Sequence, residues 1–259
     1  MLRFLHCADL HLDRSFEGLQ LIHDRVTHLT EANERVLENI VSLALAEQVD
    51  FVLLAGDTFH QNRPSLKTQH HFFTQMRRLE VAGVPVYLSF GNHDFYDEAR
   101  YWFEFPENVH LFKEEIVTTF VDTNRSNESY AISSFSYQQR WLEKSKVAEF
   151  PTNQAKYQIG MYHGEMGSER YAPFTIQEMK QKGYDYWALG HIHVPTVLAT
   201  EPPIIYPGTP QGHTRKEQET PGVLLVTLGE GPAKWEARSV QEIVWEVLQC
   251  SMAGVKNQR

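Results

Sequence analysis

Five short apolar segments, each followed at once by a candidate metal ligand, constrain this chain more than any other feature of its sequence. The segments cover residues 2–8, 50–55, 84–90, 157–162 and 185–190. Apolar runs of this length that end at Gly, Asp or His are typical of buried strands that open into a loop. Because the carboxyl ends of neighbouring strands meet at one edge of a sheet, we expect the side chains that follow them to converge.

The side chains that follow these strands are carboxylates, an amide and imidazoles, a set that suits manganese, iron or zinc. They are Asp9, His11, Asp57, Asn92, His163, His191 and His193. Two aspartates would leave a pair of divalent ions with a net charge of about +2, which attracts a phosphate. Asp57 can bridge the two ions. Such a bridged pair activates hydroxide and holds the phosphoryl oxygens during in-line attack.

His93 and Asp94 come directly after Asn92 and are interpreted as catalytic residues. A histidine beside a metal pair can protonate the leaving oxygen, and a neighbouring carboxylate can orient its ring. The alternative interpretation is that Asp94 caps a turn and that His93 takes no part in the reaction.

Eight further histidines are interpreted as surface residues or as hydrogen-bonded structural residues: His6, His23, His28, His60, His70, His71, His110 and His213. The loop over 164–175 has no assigned role. Within it, Arg170 and Tyr171 either contact a substrate backbone or belong to a plain surface loop.

Helical patterns separate the first three strands. Apolar residues recur every three or four positions over residues 26–43, and a second stripe follows Pro64. This β-α-β-α-β order predicts parallel strands with helical crossovers. The second stripe contains Leu66, Phe72, Phe73 and Met76, which either face a second subunit in a homodimer or pack into the core.

The second half of the chain is richer in strands. Residues 115–121 and 130–135 predict a hairpin, and a short helix is expected at about 175–182. Four further strand-like segments, with Pro and Gly between them, predict a β-meander: 196–200, 204–206, 221–228 and 233–239. Two β-rich halves with helices outside predict an α/β sandwich.

Composition narrows the function classes. The formal charge of −9 argues against a protein that coats nucleic acid. It does not argue against DNA as a substrate, because bound divalent metals reverse the sign of the local field where a phosphate docks. The chain has no apolar run of the length that a membrane helix needs. Two cysteines cannot form a disulfide framework, and no export signal is evident, so we expect a cytoplasmic protein with no membrane partner.

The motifs Asp-x-His, Gly-Asp, Gly-Asn-His-Asp, His and Gly-His-x-His, in this order, resemble those of the calcineurin-like metallophosphoesterases. The resemblance implies a four-layer α/β/β/α sandwich of two mixed sheets over residues 1–240. It also implies that Asp9, His11 and His193 hold one ion. Asn92, His163 and His191 would hold the other, with Asp57 as the bridge. Residues 241–259 are interpreted as a tail where a cap domain would begin in longer members of the family.

Finer motifs resemble the SbcD-type DNA repair exonucleases. They include FLHCADLHLD at residues 4–13, AGDTF at 55–59, ALGHIH at 188–193 and YPGTPQG at 206–212. This resemblance implies manganese-dependent cleavage of DNA in repair or recombination, an SMC-like ATPase partner of the SbcC type, and a dimer. Iron, zinc and magnesium are alternative metals.

Two other functions compete with a DNA exonuclease or endonuclease. A phosphodiesterase or phosphatase for cyclic nucleotides or other small phosphate esters would use the same metal chemistry. Open, basic surroundings of the site would favour DNA, whereas a closed pocket would favour a small ester. A metal-free binding scaffold would require lost ligands, and none of the motif positions is lost.

Overall fold

Two six-stranded mixed sheets carry the fold in the part of the chain that the computed structural model describes. That part comprises residues 1–17, 26–101, 104–218, 222–247, 249 and 251. The first sheet has the order β12-β11-β1-β2-β3-β4. Its strands are β1 (Leu2–Cys7), β2 (Phe51–Ala55), β3 (Val86–Ser89), β4 (Val109–Leu111), β11 (Val223–Gly229) and β12 (Gly231–Arg238). Strands β1 to β4 are parallel, and β11 and β12 are antiparallel to their neighbours.

The second sheet has the order β5-β6-β7-β8-β10-β9. Its strands are β5 (Thr118–Thr123), β6 (Ser129–Ser134), β7 (Tyr157–His163), β8 (Tyr186–Gly190), β9 (Thr196–Thr200) and β10 (Pro203–Tyr206). Three helices are α1 (Val26–Ala46), α2 (Leu66–Val81) and α3 (Ile176–Gln181), and single 3₁₀ turns lie at Glu98–Arg100 and Val147–Glu149.

Capping residues set where two of the helices begin. The Ser65 side chain accepts a hydrogen bond from the Thr68 backbone N–H at 3.1 Å, so α2 begins at Leu66, two residues after Pro64. A reciprocal capping box joins Thr175 and Glu178 at the start of α3, as the expected helix over 175–182 requires.

Three apolar clusters separate the layers. The aromatic and aliphatic side chains between the sheets include Phe4, Phe51 and Ile159. A second cluster packs α1 and α2 on the outer face of the first sheet, and a third packs α3 and loops on the outer face of the second. The expected four-layer α/β/β/α sandwich is therefore confirmed.

The α2 stripe lies in the core. Phe72 and Phe73 are fully buried and Met76 is 1% exposed, whereas Leu66, at the start of the helix, is 55% exposed. Three of the four apolar side chains therefore pack into the core, and only Leu66 of the four is available to a second subunit.

The predicted hairpin is confirmed as β5–β6, but the predicted meander is wrong. Strands β9 and β10 pair with each other in the second sheet, whereas β11 and β12 form a hairpin in the first. Strand β11 pairs with β1, and Leu225 lies opposite Leu5. The turn signals were correct, but they carry no information about which sheet each hairpin joins.

Residues that follow β12 return to the sandwich. The Gln211 side-chain oxygen accepts hydrogen bonds from the backbone N–H groups of Glu242 and Ile243. The Trp245 indole N–H donates to the Gly212 carbonyl at 2.8 Å. The first residues of the expected tail thus contact the loop after β10. Within the described residues, no helix is long and apolar enough to cross a bilayer.

His6 on β1 makes stability depend on pH. It is fully buried, and its ring nitrogens lie 3.0 Å from the Tyr186 hydroxyl and from the Leu189 carbonyl. Burial lowers the pKa of His6 from 6.5 to about 3. The unfolded chain therefore takes up the proton first. The part of the free energy of unfolding that depends on neutral His6 is complete above pH 6.5 and is lost as pH falls toward 3.

In the wild type, the uptake of about one proton by His6 on unfolding lowers the free energy of unfolding by about 1.4 kcal/mol for each pH unit of acidification between pH 6 and 4.5. We expect His6→Gln to lack this part of the slope. Urea unfolding in EDTA, measured on both proteins at several pH values, gives the two slopes. Other groups contribute equally to both proteins and cancel. Identical slopes would show that His6 takes up its proton in the folded state.

Candidate metal centre

The loops after β1, β2, β3, β7 and β8 meet where the two sheets adjoin. The Nδ1–H of His163, at the end of β7, donates to the Ala55 carbonyl at the end of β2 at 3.0 Å. The backbone N–H groups of Asp9 and His11 donate to the carbonyls of Gly56 and Asp57. The predicted convergence of strand ends therefore takes place across two sheets.

The first group of converging side chains is Asp9, His11 and His193. The Nε2 atoms of His11 and His193 are 3.1 Å apart, and His193 Nε2 is 3.9 Å from Asp9 Oδ1. One potential ligand atom from each of the three lies within 4.8 Å of the others. Two facing imidazole nitrogens need a proton or a cation between them, so the first group can accept an ion.

The second group is Asn92, His163 and His191. The Asn92 side-chain oxygen lies 3.1 Å from His163 Nε2 and 3.1 Å from His191 Nδ1. These three atoms converge in the way that an oxygen and two nitrogens around one cation would.

Asp57 lies between the two groups. Its Oδ2 atom is 3.4 Å from His163 Nε2 in the second group and 3.8 Å from His11 Nε2 in the first. The side chain is 1% exposed, and Oδ2 has no hydrogen-bond partner among the described residues. A buried carboxylate oxygen without a hydrogen bond is costly unless a positive charge lies beside it, either the proton of His163 or a metal ion that replaces it. These residues fit a bridged pair of metal ions.

Backbone strain accompanies this arrangement. Asp9, His11, Asp57 and His191 have φ values of 53°, 45°, 49° and 108°. Residues other than glycine rarely adopt this region, and strain of this kind concentrates at functional sites. The strained residues are four of the seven predicted ligands. At His191 the strained backbone also directs its N–H group to the Asp9 carboxylate.

Gly91 leaves room for the groups to approach each other. A Cβ atom at this position would overlap Asp57 Oδ1 and lie 2.6 Å from His163 Nε2. Both neighbours are buried ligand candidates that have no space to move, so only glycine fits at this point of the loop.

Burial and opposite charges shift the pKa values of these groups in opposite directions. Burial raises the pKa of Asp9 to about 6. Burial alone would lower the pKa of His163, but the Asp57 carboxylate outweighs it and the value rises to about 9. Desolvation lowers the pKa of His11. An ion that binds at His163 must displace a firmly held proton, so metal binding should release protons.

Glu217 orients His193 and has no counterpart in the sequence motifs. Its Oε1 atom accepts a hydrogen bond from His193 Nδ1–H at 2.6 Å, and Arg14 pairs with the same oxygen at 3.0 Å. Its Oε2 atom accepts from the backbone N–H groups of His213 and Thr214. Burial opposes ionisation, but the bonds from His193 and His213 outweigh it and lower the pKa of Glu217 to about 2. A carboxylate thus fixes which His193 nitrogen faces Asp9.

We expect Glu217→Gln to weaken metal binding at the first group by about tenfold to a hundredfold, the usual effect of losing such a partner. Calorimetric titration with manganese gives the affinities of both positions. Glu47→Gln is a matched control, because Glu47 pairs with Arg3 and Arg238 rather than with a histidine at the site. Equal affinities in wild type and Glu217→Gln would contradict the role assigned to Glu217.

His93 lies beside the first group. Its ring is 5.1 Å from the His11 ring, and its backbone N–H donates to Asp57 Oδ1 at 3.0 Å. The expected contact with Asp94 is not formed. Asp94 instead accepts backbone N–H bonds from Gly91 and Phe59 and so joins two loops. This matches the alternative interpretation of Asp94, in which it ties a turn.

The His60 backbone, rather than Asp94, orients the His93 ring. His93 Nδ1 lies 3.2 Å from the His60 carbonyl, and the two rings stack with centroids 4.9 Å apart. A carbonyl only accepts, so Nδ1 carries the hydrogen and Nε2 is free for proton exchange. His60 Nδ1 is also 3.3 Å from His11 Nδ1. His60 was interpreted as a structural or surface histidine, and the structure places it at the site.

The other additional histidines whose side chains the structure describes lie away from the two groups or support them indirectly. His6 and His71 are hydrogen-bonded to backbone carbonyls, and His110 stacks on Tyr87. His213 is buried, and its Nε2 lies 2.9 Å from the Asn33 side-chain oxygen. His23 and the side chain of His28 lie outside the described residues.

Comparison with known proteins identifies relatives of this arrangement. Residues 2–195 match the family described as calcineurin-like phosphoesterase. The uncharacterized metallophosphoesterase YhaO of Bacillus subtilis is 36% identical, over 99% of this chain and 64% of its own length. The DNA double-strand break repair protein Mre11 of Methanopyrus kandleri is 24% identical, over 81% of this chain and 49% of its own. The chain thus spans less than two thirds of either relative.

Among solved structures, GAP50, the anchor in the inner membrane complex of Plasmodium, superposes with a TM-score of 0.53. The match covers 100% of this chain and 90% of that one at 12% identity. Likeness at this level of identity concerns the fold alone. It agrees with a sandwich of two mixed sheets.

Proposed function

We propose that this chain, which belongs to the calcineurin-like phosphoesterase family, is a metal-dependent nuclease that hydrolyses DNA phosphodiester bonds. The observation that carries the proposal is the pair of side-chain groups joined at Asp57, with one cleft that carries basic side chains beside His193 and another beside His93. Membership of the family supports hydrolysis of phosphate esters, and DNA as the substrate is the further step.

In this proposal each group would hold one divalent ion, and Asp57 would contribute to both. Asp9, His11 and His193 would hold the first, and Asn92, His163 and His191 would hold the second. When bound, the two ions supply Lewis acidity to the phosphoryl oxygens and to an attacking water. Nitrogen and oxygen ligands without thiolate favour manganese, with iron, zinc and magnesium as alternatives.

His93 acts as the proton donor in this proposal. The His60 carbonyl holds its Nδ1–H, which leaves the Nε2 proton of the charged ring for the leaving oxygen. His193 and His163 are oriented through their Nδ1 atoms, by Glu217 and by the Ala55 carbonyl. Both rings therefore present Nε2 toward Asp9 and Asp57 without rearrangement.

Cationic side chains beside the site support DNA rather than a small ester. A surface cleft next to His193 is lined by Arg215 and Lys216 and by Arg14, which pairs with Glu17 and Glu217 of the same cleft. A second cleft, next to His93, is lined by Arg140. In a chain of net charge −9, the exposed side chains of Arg140, Arg215 and Lys216 place positive charge beside the site, where it suits a polyanion. The Mre11 relative, named for double-strand break repair, points the same way.

The resemblance to SbcD-type exonucleases further supports an SMC-like ATPase of the SbcC type as a partner. Such a partner belongs to the proposal for the whole protein, because this chain spans about half to two thirds of its relatives.

A side-by-side assay with manganese tests the proposed substrate class. Linear duplex DNA, single-stranded DNA, a cyclic dinucleotide and bis(p-nitrophenyl) phosphate are compared at equal enzyme concentration. We expect kcat/KM for DNA to exceed the value for the cyclic dinucleotide by at least about a hundredfold, because several phosphates contact cations at once. Preference for the cyclic dinucleotide would instead assign the chain to small phosphodiesters.

A further inference from the structure

We propose that Arg140, Trp141, Arg170 and Tyr171 form a platform on which a nucleobase of a single-stranded end stacks while its phosphate lies at the metal centre. We call these four residues the stacking platform. The proposal rests on the proposed nuclease function and names its substrate as an unpaired strand. In this proposal the loop over 164–175 contacts a base of the substrate rather than its sugar–phosphate backbone.

Trp141 is the centre of the stacking platform. Its side chain is 38% exposed, although indole is among the side chains that gain most from burial. The guanidinium carbons of Arg140 and Arg170 each lie 5.2 Å from the Trp141 ring centroid. The Tyr171 ring lies 5.8 Å from it. A guanidinium group that lies over an exposed indole presents its own outer face, a planar cation on which a base can stack while the indole supports it from below.

The backbone holds the stacking platform in place before any ligand binds. The Leu142 N–H donates to the Arg170 carbonyl at 2.9 Å, and the Ala172 N–H donates to the Leu142 carbonyl at 2.6 Å. Leu142 itself is 6% exposed and packs in the third apolar cluster. Two loops distant in sequence are thus joined beneath the exposed rings, so binding a base costs little ordering.

Two contacts connect the stacking platform to the metal centre. The Tyr171 ring lies 4.5 Å from the ring of His191, a member of the second group. Arg140 lines the same cleft as Asn92 and His93. A strand whose phosphate reaches the site would therefore carry a flanking base past Tyr171 and Trp141.

Charge favours a nucleic acid over other occupants of this surface. Neither Arg140 nor Arg170 forms an ion pair within the ranges that the structure describes, whereas Arg14 pairs with Glu17 and Glu217. Two arginines without carboxylate partners, in a protein with an excess of acidic residues, are free to meet phosphates on either side of a stacked base. Stacking on aromatic rings tolerates any base, which suits digestion of varied sequence.

Binding and cleavage of a short labelled oligonucleotide test the stacking platform separately from catalysis. With calcium in place of manganese, fluorescence anisotropy is measured for wild type, Trp141→Ala and Trp141→Phe. We expect Trp141→Ala to weaken binding of single-stranded DNA by about tenfold to a hundredfold and Trp141→Phe by less than about threefold. Because the indole is exposed, we expect both variants to fold as the wild type does, and circular dichroism checks this directly.

An abasic oligonucleotide separates base stacking from backbone contact. If the indole holds a base, wild type and Trp141→Ala bind a strand with abasic positions equally, because backbone charge is unchanged. Arg170→Ala is compared with Arg125→Ala, which removes the same charge from the distant β5–β6 turn. Only Arg170→Ala should weaken binding.

The outcomes distinguish the two proposals. Trp141-dependent binding without cleavage of any DNA would support the stacking platform and overturn the nuclease function. Cleavage of single-stranded DNA with an unchanged KM in Trp141→Ala would support the nuclease and overturn the stacking platform. Equal losses on normal and abasic strands, or no binding of single strands by wild type, would also overturn it.

Discussion

Replacing Asp57 with Asn should remove most of the bound metal from both groups and lower phosphodiester hydrolysis by about a thousandfold or more. Asp57 Oδ2 lies between His163 and His11 and has no hydrogen-bond partner among the described residues. An amide in its place has the same shape but lacks the charge that offsets two cations. A thousandfold corresponds to about 4 kcal/mol, within the several kcal/mol that metal ions contribute to phosphoryl transfer.

Metal content and stability give the readouts for Asp57→Asn. Elemental analysis should find close to two manganese ions per wild-type chain and fewer than one in the variant. Ligand binding stabilises a folded protein by about 2.7 kcal/mol at a hundred times Kd, so the manganese-dependent rise in Tm should largely disappear. Asp185→Asn is the matched control, because Asp185 accepts a backbone N–H from Gln158 far from the site. Two ions retained in Asp57→Asn would refute the bridging role.

The strands that lead into this site could be predicted because their sequence carries two signals at once. An apolar run such as residues 50–55 can only be buried, and the Gly-Asp that follows can only open a loop. The same reasoning failed for the meander. Pairing of β11 with β1, across more than two hundred residues, depends on which edge of the first sheet stays open. Alternation of apolar residues gives no indication of that edge.

The supporting residues were missed for a related reason. Glu217 lies 24 residues beyond His193, and the loop after β10 brings it back to the histidine. His60 contributes its carbonyl, which every residue possesses, so no residue type could have indicated that role. Asp94 was expected to contact its neighbour His93, but the two backbone N–H groups of Gly91 and Phe59 are better placed. Sequence motifs indicate which side chains can bind a metal. Hydrogen bonds between side chains and backbone groups can be assigned only once the fold is known.

Replacing His93 with Gln should lower the rate of DNA hydrolysis by about a hundredfold to ten-thousandfold while both metal positions stay filled. This range is the usual contribution of a positioned proton donor. His93 is oriented by the His60 carbonyl, and it contacts Asp57 only through its backbone N–H, which the substitution keeps. Metal content by elemental analysis should therefore equal that of wild type, in contrast to Asp57→Asn.

The leaving group decides whether His93 donates a proton. A departing sugar oxygen needs the proton, whereas p-nitrophenolate leaves readily without it. The loss of hydrolysis rate in His93→Gln should thus fall below about tenfold on bis(p-nitrophenyl) phosphate.

Two further histidine variants serve as controls. His60→Gln removes the stacked ring but keeps the orienting carbonyl, so it should lower the rate of DNA hydrolysis less than His93→Gln does. His110→Gln, at a histidine stacked on Tyr87 away from the site, should leave both rates unchanged. Equal losses on both substrates would mean that His93 positions the phosphate rather than protonating the leaving oxygen.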